Sequence, residues 1–162
     1  LNWVGKKITT SQHNGSLKFL SGELTICANN NGSESLVCGG KFSVDMTSLL
    51  VEDLTGSSKQ RLEGHLKSDD FFSVNKHKTA YLSINSSKAT DSGFIAQGSL
   101  TIKDITHPIE FKLTRSLGGF VADLVFDRSK YNVRYNSGSF FENLGDNLIL
   151  DEIELTANLY FQ

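Results

Sequence analysis

Two polar residues of this 162-residue sequence stand at a spacing that could hold a metal ion. His65 and Asp69 are four positions apart, so on a helix they would lie on one face. Two ligands alone make a weak site, because structural zinc sites use four. We therefore interpret the pair as solvated surface residues and predict that the protein holds no metal ion.

The short motifs of common enzymes are missing from the sequence. It has no G-x-S-x-G turn, no P-loop, no H-E-x-x-H helix and no dinucleotide-binding glycine pattern. A triad of distant Ser, His and Asp side chains stays open, because such triads form in space rather than in sequence. We predict a protein that is not an enzyme and that uses no cofactor.

Two other polar residues are candidates for a role inside the fold. His13 precedes an Asn-Gly turn and could meet the head group of a bound molecule, although we favour a surface turn histidine. Arg128 ends an apolar stripe, so we predict a buried ion pair or a capping interaction with Asp127, Asp151 or Glu152.

The two cysteines, Cys27 and Cys38, flank the polar segment ANNNGSES. A hairpin centred on that segment would place them opposite each other or one step out of register, where a disulfide is possible if the sulfur geometry allows it. Two free thiols remain the alternative. A disulfide would suit an exported protein, because oxidising compartments preserve it.

Composition excludes several classes of protein. Hydrophobic residues make up 38% of the chain, and no apolar run approaches the ~18 residues of a transmembrane helix. The net charge of −2 comes from interspersed acidic and basic residues, so we predict no nucleic-acid partner and no stable membrane insertion. Nothing divides the chain, and we predict one domain over residues 1–162, of which 158–162 (NLYFQ) resemble either a protease-site remnant or native strand.

Apolar and polar residues alternate along most of the chain, which predicts β-strands. Turn-forming clusters such as HNG, NNNG, DSG, LGG and NSG separate the alternating segments, and such short turns require antiparallel pairing. We predict seven or eight strands. Their apolar stripes are Leu17/Phe19, Leu24/Ile26, Phe42/Val44/Met46, Ala80/Leu82/Ile84, Phe94/Ala96/Gly98/Leu100/Ile102, Ile109/Phe111/Leu113, Phe120/Ala122/Leu124/Phe126 and Ile153/Leu155/Ala157/Leu159.

The single proline, Pro108, lies between two of these stripes. Proline gives a sheet no amide hydrogen, so it belongs at the start of a strand, at an edge or in a turn. We predict that Thr106 and His107 extend a turn and that Pro108 begins the next strand.

One interval, residues 45–72, breaks the strand pattern. Leu62 and Leu66 are four residues apart among charged residues, which predicts a short amphipathic helix between the third and fourth strands, capped by Ser57 or Ser58. An antiparallel sheet of this size could close into a barrel, whose lumen holds side chains or one small ligand. A two-sheet sandwich would show the same alternation, so both stay open at this point.

Several segments, in order, resemble the YceI-like proteins. They are WVGKK (3–7), HNGSLKFLSGELTI (13–26), FSVDMTSL (42–49), HLKSDDFFSV (65–74), GSLTIKDITHPIEF (98–111), DRSKYNVRY (127–135) and DEIELTANL (151–159). The sequence departs from that pattern in two turns, with Lys78 where proline is usual and Asp104 where glycine is usual. The resemblance implies an all-β protein with one short helix: an extended, lipocalin-like antiparallel barrel of eight strands.

The resemblance also implies a function. YceI-like proteins are bacterial, often periplasmic, and bind polyisoprenoids, isoprenoid quinones or fatty-acid derivatives without catalysis. We therefore predict that this chain stores or transports such a lipophilic molecule, in the periplasm or as a secreted protein, with the cytoplasm and a homodimer as open alternatives. The alternative function is a structural or partner-binding β-domain with a filled core and no small ligand.

The ligand-binding residues that we predict are the lumen-facing members of the apolar stripes and one turn histidine. They are Phe19, Phe42, Val44, Leu82, Phe94, Ala96, Leu100, Phe111, Phe120, Ala122, Leu124, Phe126 and His13.

Overall fold

A computed structural model describes residues 1–28 and 35–160. Eight strands form one antiparallel sheet in which each strand pairs with the next and β8 pairs with β1. The predicted barrel is thereby confirmed, and the sandwich is excluded. The strands are β1 (Asn2–Lys7), β2 (Gln12–Ala28), β3 (Ser35–Val51), β4 (Thr79–Thr90), β5 (Gly93–Ile102), β6 (Ile105–Ser116), β7 (Gly119–Asp127) and β8 (Ile149–Tyr160).

The predicted helix, α1 (Gly56–Lys67), lies between β3 and β4 and closes one end of the barrel. Leu66 is buried and Leu62 packs against the core, as their spacing predicts. The predicted serine cap is wrong: the N-cap residue is Thr55, whose side chain makes no capping hydrogen bond. The carboxylate of Glu63 instead accepts a 2.9 Å hydrogen bond from the backbone N–H of Val51, which fixes the helix to the end of β3.

The turn before Pro108 also differs from the prediction. Lys103 and Asp104 form it, both with positive φ as in a two-residue hairpin, and β6 begins at Ile105. Pro108 therefore lies inside β6, opposite Ser99. The strand tolerates it because, in the described residues, β6 pairs with β7 only from Lys112 onwards, so Pro108 has a sheet partner on one side alone.

Arg128 lies at the same end of the barrel as α1, at the start of a connection that runs from β7 to β8. Its side chain is 0% exposed. The guanidinium donates to the backbone carbonyls of Val133, Ile149 and Leu150 at 3.1–3.2 Å and lies 3.2 Å from the carboxylate of Asp151. Of the three acids predicted as partners, Asp151 is the one that forms the ion pair.

The other oxygen of the Asp151 carboxylate holds the middle of the connection. It accepts hydrogen bonds from the hydroxyls of Ser137 and Ser139 at 2.9 and 2.7 Å. The guanidinium of Arg128 also packs over the ring of Phe71, 5.3 Å from its centroid. This pair of charges thus joins the β7–β8 connection, β8 and the segment after α1 into one cap.

Cys27 and Cys38 form a disulfide with their Cα atoms 5.9 Å apart. The register explains their position: Thr25 pairs with Gly39 and Ile26 with Val37, so Cys38 is the extra residue of a β-bulge. The disulfide joins β2 to β3 at the end of the barrel opposite α1. None of the described helices is long and apolar enough to cross a membrane.

We expect Arg128→Met to lower the free energy of unfolding by about 3–5 kcal/mol, because it leaves a buried carboxylate and three carbonyls without their partner. Urea unfolding of the two proteins gives the difference. Arg61→Met, an exposed position on α1, is the matched control and should stay within about 0.5 kcal/mol of the unsubstituted protein. Equal losses in both variants would contradict this role for Arg128.

We expect the double substitution Cys27→Ser/Cys38→Ser to cost about 3 kcal/mol, the loop-closure entropy of a separation of 11 residues. Chemical reduction of the unsubstituted protein should give the same loss in urea unfolding. A loss below about 1 kcal/mol would mean that the β2–β3 hairpin is already ordered in the unfolded chain.

Candidate functional site

The barrel encloses a cavity of about 390 Å³. This volume lies within the range of small-molecule binding pockets. All eight strands contribute lining residues, together with α1 and the β7–β8 connection. The interior is therefore hollow, unlike the filled core of the alternative function.

Small residues that face each other across two strands help to make the hollow. Ala122 of β7 pairs with Ala157 of β8, and both line the cavity. Ala96 does not contribute to the cavity, because it lies outside the lining and is fully buried. It pairs with Phe111 on the neighbouring strand, and its small side chain leaves space for that larger residue. Gly98 also adds no space to the cavity. A Cβ atom at this position would lie 1.8 Å from the carbonyl oxygen of Ser83 on the neighbouring strand, so the backbone is already closely packed there.

Ten of the thirteen residues predicted from the sequence line this cavity. They are His13, Phe19, Phe42, Val44, Leu82, Leu100, Phe111, Ala122, Leu124 and Phe126. Contact between these side chains and a ligand stays a prediction.

Phe94, Ala96 and Phe120 lie outside the lining. The rings of Phe94 and Phe120 pack with centroids 5.8 Å apart, and the guanidinium of Arg115 lies 4.6 Å from the centroid of Phe94. These residues pack together near the β6–β7 turn, outside the lining of the cavity. Alternation identifies inward-facing residues but does not show how far along the barrel the hollow extends.

Some lining residues were not predicted because they lie outside the alternating stripes. Phe71 and Phe72 follow α1, are buried, and line the cavity with their rings 5.0 Å apart. Trp3, in the short β1, lies across Gly15 and donates from its indole N–H to the carbonyl of Leu50 at 3.2 Å. The sequence does mark Phe71 and Phe72 as unusual, because they are adjacent. Neighbouring residues on a strand face opposite sides, so two adjacent phenylalanines cannot both belong to one inward-facing stripe.

Polar side chains line the cavity almost entirely at the end closed by α1, which we call the polar end. Apart from Tyr81, every polar lining residue comes from the β1–β2 hairpin, α1 or the β7–β8 connection. They are Lys6, Lys7, Ser11, Gln12, His13, His65, Tyr135, Asn136 and Asn147. No Asp or Glu is among the described residues that line the cavity, so its fixed side-chain charges are positive.

His13 is held in place at the polar end by Asp53. Its Nδ1 lies 2.7 Å from one carboxylate oxygen of Asp53, and the backbone N–H of Asn14 donates to the other at 3.0 Å. Burial raises the pKa of Asp53, but hydrogen bonds, these two among them, outweigh it and leave the pKa below its ordinary value. The carboxylate therefore stays ionised and fixes the orientation of the His13 ring.

His65 and Asp69, the pair tested for metal binding, do not share a site. Asp69 lies beyond the end of α1 and pairs with Lys76 at 2.6 Å, while the His65 ring packs against Tyr135 and Phe71. The described residues contain no group of three or more His, Cys, Asp or Glu that could hold a metal ion.

Comparison with known proteins identifies related sequences and folds. The model of the family described as the YceI-like domain matches residues 1–161. No curated protein matches the sequence.

Solved structures with the same fold are distant in sequence. BcnA from Burkholderia cenocepacia is 16% identical, with a TM-score of 0.65 over 96% of this chain and 91% of BcnA. A YCEI protein from Campylobacter jejuni is 18% identical, with a TM-score of 0.52 over 90% of this chain and 85% of that one. A CJ YCEI mutant holding a monobromobimane guest has a TM-score of 0.54 at the same identity and coverage. At these identities the likeness is one of fold.

Proposed function

We propose that this chain, which belongs to the YceI-like domain family, binds a long-chain amphiphile in the lumen of its barrel and stores or transports it without chemical change. The observation that carries the proposal is the apolar cavity of about 390 Å³, lined by side chains from every strand. The YceI-like family is known for binding polyisoprenoids and other lipids, and is generally a binding family rather than an enzymatic one.

The chemistry of the wall favours an alkyl or prenyl tail. Phe42, Leu100, Phe111, Leu124 and Phe126 surround the middle of the cavity and offer no hydrogen bond. Water in such a space has few polar partners, so a hydrocarbon chain replaces it at little cost. Each buried methylene contributes about 0.8 kcal/mol, which must offset the 4–15 kcal/mol lost in binding and ordering the tail. Affinity should therefore depend on the length of the tail more than on its identity.

The compartment that we propose is the periplasm or the extracellular space. The disulfide between Cys27 and Cys38 supports it, because such bonds persist in oxidising compartments. The lipophilic molecule is the proposed partner, and a homodimer stays a prediction.

We expect an organic extract of the purified protein to contain a co-purified amphiphile that mass spectrometry can identify. Saturated fatty acids of increasing length should raise the melting temperature of lipid-stripped protein. Their affinity should rise about fourfold for each added methylene, the equivalent of about 0.8 kcal/mol, until the cavity is full. An empty extract, together with an unchanged melting temperature for every acyl and prenyl compound tried, would refute the carrier function.

Filling the hollow should abolish binding and leave the fold intact. Ala122→Trp projects an indole into the cavity, and we expect it to reduce the affinity for a fatty acid at least tenfold. Val125→Trp on the same strand is the matched control, because Val125 is 48% exposed on the outer face. Circular dichroism checks the fold of both variants and titration calorimetry measures affinity. Equal affinities in the two variants would place the ligand outside this cavity.

A further inference from the structure

His65 presents a buried nitrogen atom with no partner. The residue lies in the last turn of α1 and lines the cavity at its polar end. Its Nε2 atom is buried and makes no hydrogen bond with any described residue. Buried polar atoms are rarely left in this state, and each such atom calls for an explanation.

The surroundings of His65 hold its ring firmly. The ring of Tyr135 packs edge-on at 4.3 Å between centroids and that of Phe71 at 5.7 Å. Phe71 is itself covered by the buried guanidinium of Arg128. These contacts orient the ring, and because Nε2 has almost no exposed surface, a head-group oxygen reaches it only when a neighbouring side chain shifts.

We propose that Nε2 of His65 hydrogen bonds to an oxygen atom of the ligand's head group, so that the head lies against α1 and the tail runs into the apolar middle of the barrel. This inference rests on the proposed function and adds the orientation of the ligand and the chemistry of its head. It would give a partner to a buried polar atom that has none among the described residues and that belongs to a residue lining the cavity.

The other polar lining residues specify the head group further. Lys7 lies near the end of β1 and makes no ion pair with any described residue, whereas its neighbour Lys6 pairs with Glu154 on the barrel surface. Gln12, Asn136 and Asn147 add amide N–H donors. Since two lysines and no carboxylate of the described residues line this end, and its amides can donate hydrogen bonds, it fits a head group with acceptor oxygens, such as a carboxylate or an amide or quinone carbonyl, better than an ammonium.

The experiment compares sixteen-carbon ligands that differ only in the head. Hexadecanoic acid, hexadecanamide and hexadecylamine are titrated into lipid-stripped protein, with the fluorescence of Trp3, the only tryptophan and a lining residue, as the signal. We expect the acid and the amide to bind at least tenfold more tightly than the amine. Preference for the amine, or equal binding of all three, would overturn the inference.

The variants test His65 itself. His65→Phe keeps an aromatic ring for Tyr135 and Phe71 but removes the hydrogen bond, and we expect it to weaken acid and amide binding about tenfold and amine binding less than twofold. His65→Gln, which keeps a polar end, should recover part of the loss. The matched control is His107→Phe, outside the lining, where binding should not change. Equal affinities for His65→Phe and the unsubstituted protein would refute the inference.

Two further readouts keep the test decisive. If His65→Phe does not fold, the ¹⁵N shift of Nε2 in the unsubstituted protein should still move when hexadecanoic acid is added, and an unmoved shift would refute the contact. We expect Lys7→Met to weaken binding of the acid and to leave binding of the amide unchanged, because only the acid carries a charge, and equal weakening of both would contradict recognition by charge. Should no ligand bind at all, the proposed function itself fails, which distinguishes that failure from binding without head-group preference.

Discussion

The hollow of this barrel depends on how its helical end is closed, and the closure depends on the buried guanidinium of Arg128. A barrel end can be blocked by apolar side chains that extend into the lumen, at the cost of the cavity. Here the β7–β8 connection is folded over the end and fastened by hydrogen bonds from Arg128 to backbone carbonyls of Val133, Ile149 and Leu150. Arginine suits this position because its planar fork satisfies several carbonyls at fixed angles, which a lysine ammonium cannot do in the same way. Burial lowers the pKa of the guanidinium, and the carboxylate of Asp151 opposes that effect and keeps the charge paired.

The strands, the closed barrel and the one helical excursion follow from patterns that the sequence displays openly. Alternation with period two sets the inward and outward faces, and Leu62 and Leu66 mark the buried side of α1. The details that sequence reasoning missed share a physical cause, which is that they depend on contacts between distant segments. The position of α1 depends on the hydrogen bond from Val51 to Glu63, and Pro108 is tolerated because β7 does not reach it. Tyr135 and Asn136 reach the cavity from an irregular connection, whose path no periodicity describes.

The candidate site shows the same contrast between what a local sequence pattern predicts and what depends on contacts between distant segments. Ten predicted residues line the cavity because facing inward and lining the hollow coincide in the middle of the barrel. They do not coincide near the β6–β7 turn, where Phe94 and Phe120 face inward but pack against each other. Whether a small residue makes room is decided by its cross-strand neighbour: Ala122 faces another alanine, whereas Ala96 faces Phe111. That neighbour is set by the register between strands, which composition does not reveal.

A cavity lined by hydrocarbon destabilises a folded protein, because the lining atoms lose the contacts that a filled core would give them. The cavity ends at the packed rings of Phe94 and Phe120 on one side, and α1 and the β7–β8 connection line it on the other. Among the buried side-chain atoms without a hydrogen-bond partner, Nε2 of His65 belongs to a residue that lines this cavity, and departures from local consistency are expected at functional sites. An amphiphile would relieve both together, since its tail supplies the missing contacts and its head supplies the missing hydrogen bond. The interactions that hold the β7–β8 connection over this end also bring Tyr135 and Phe71 against His65, and so they would help to set the ligand orientation that we propose.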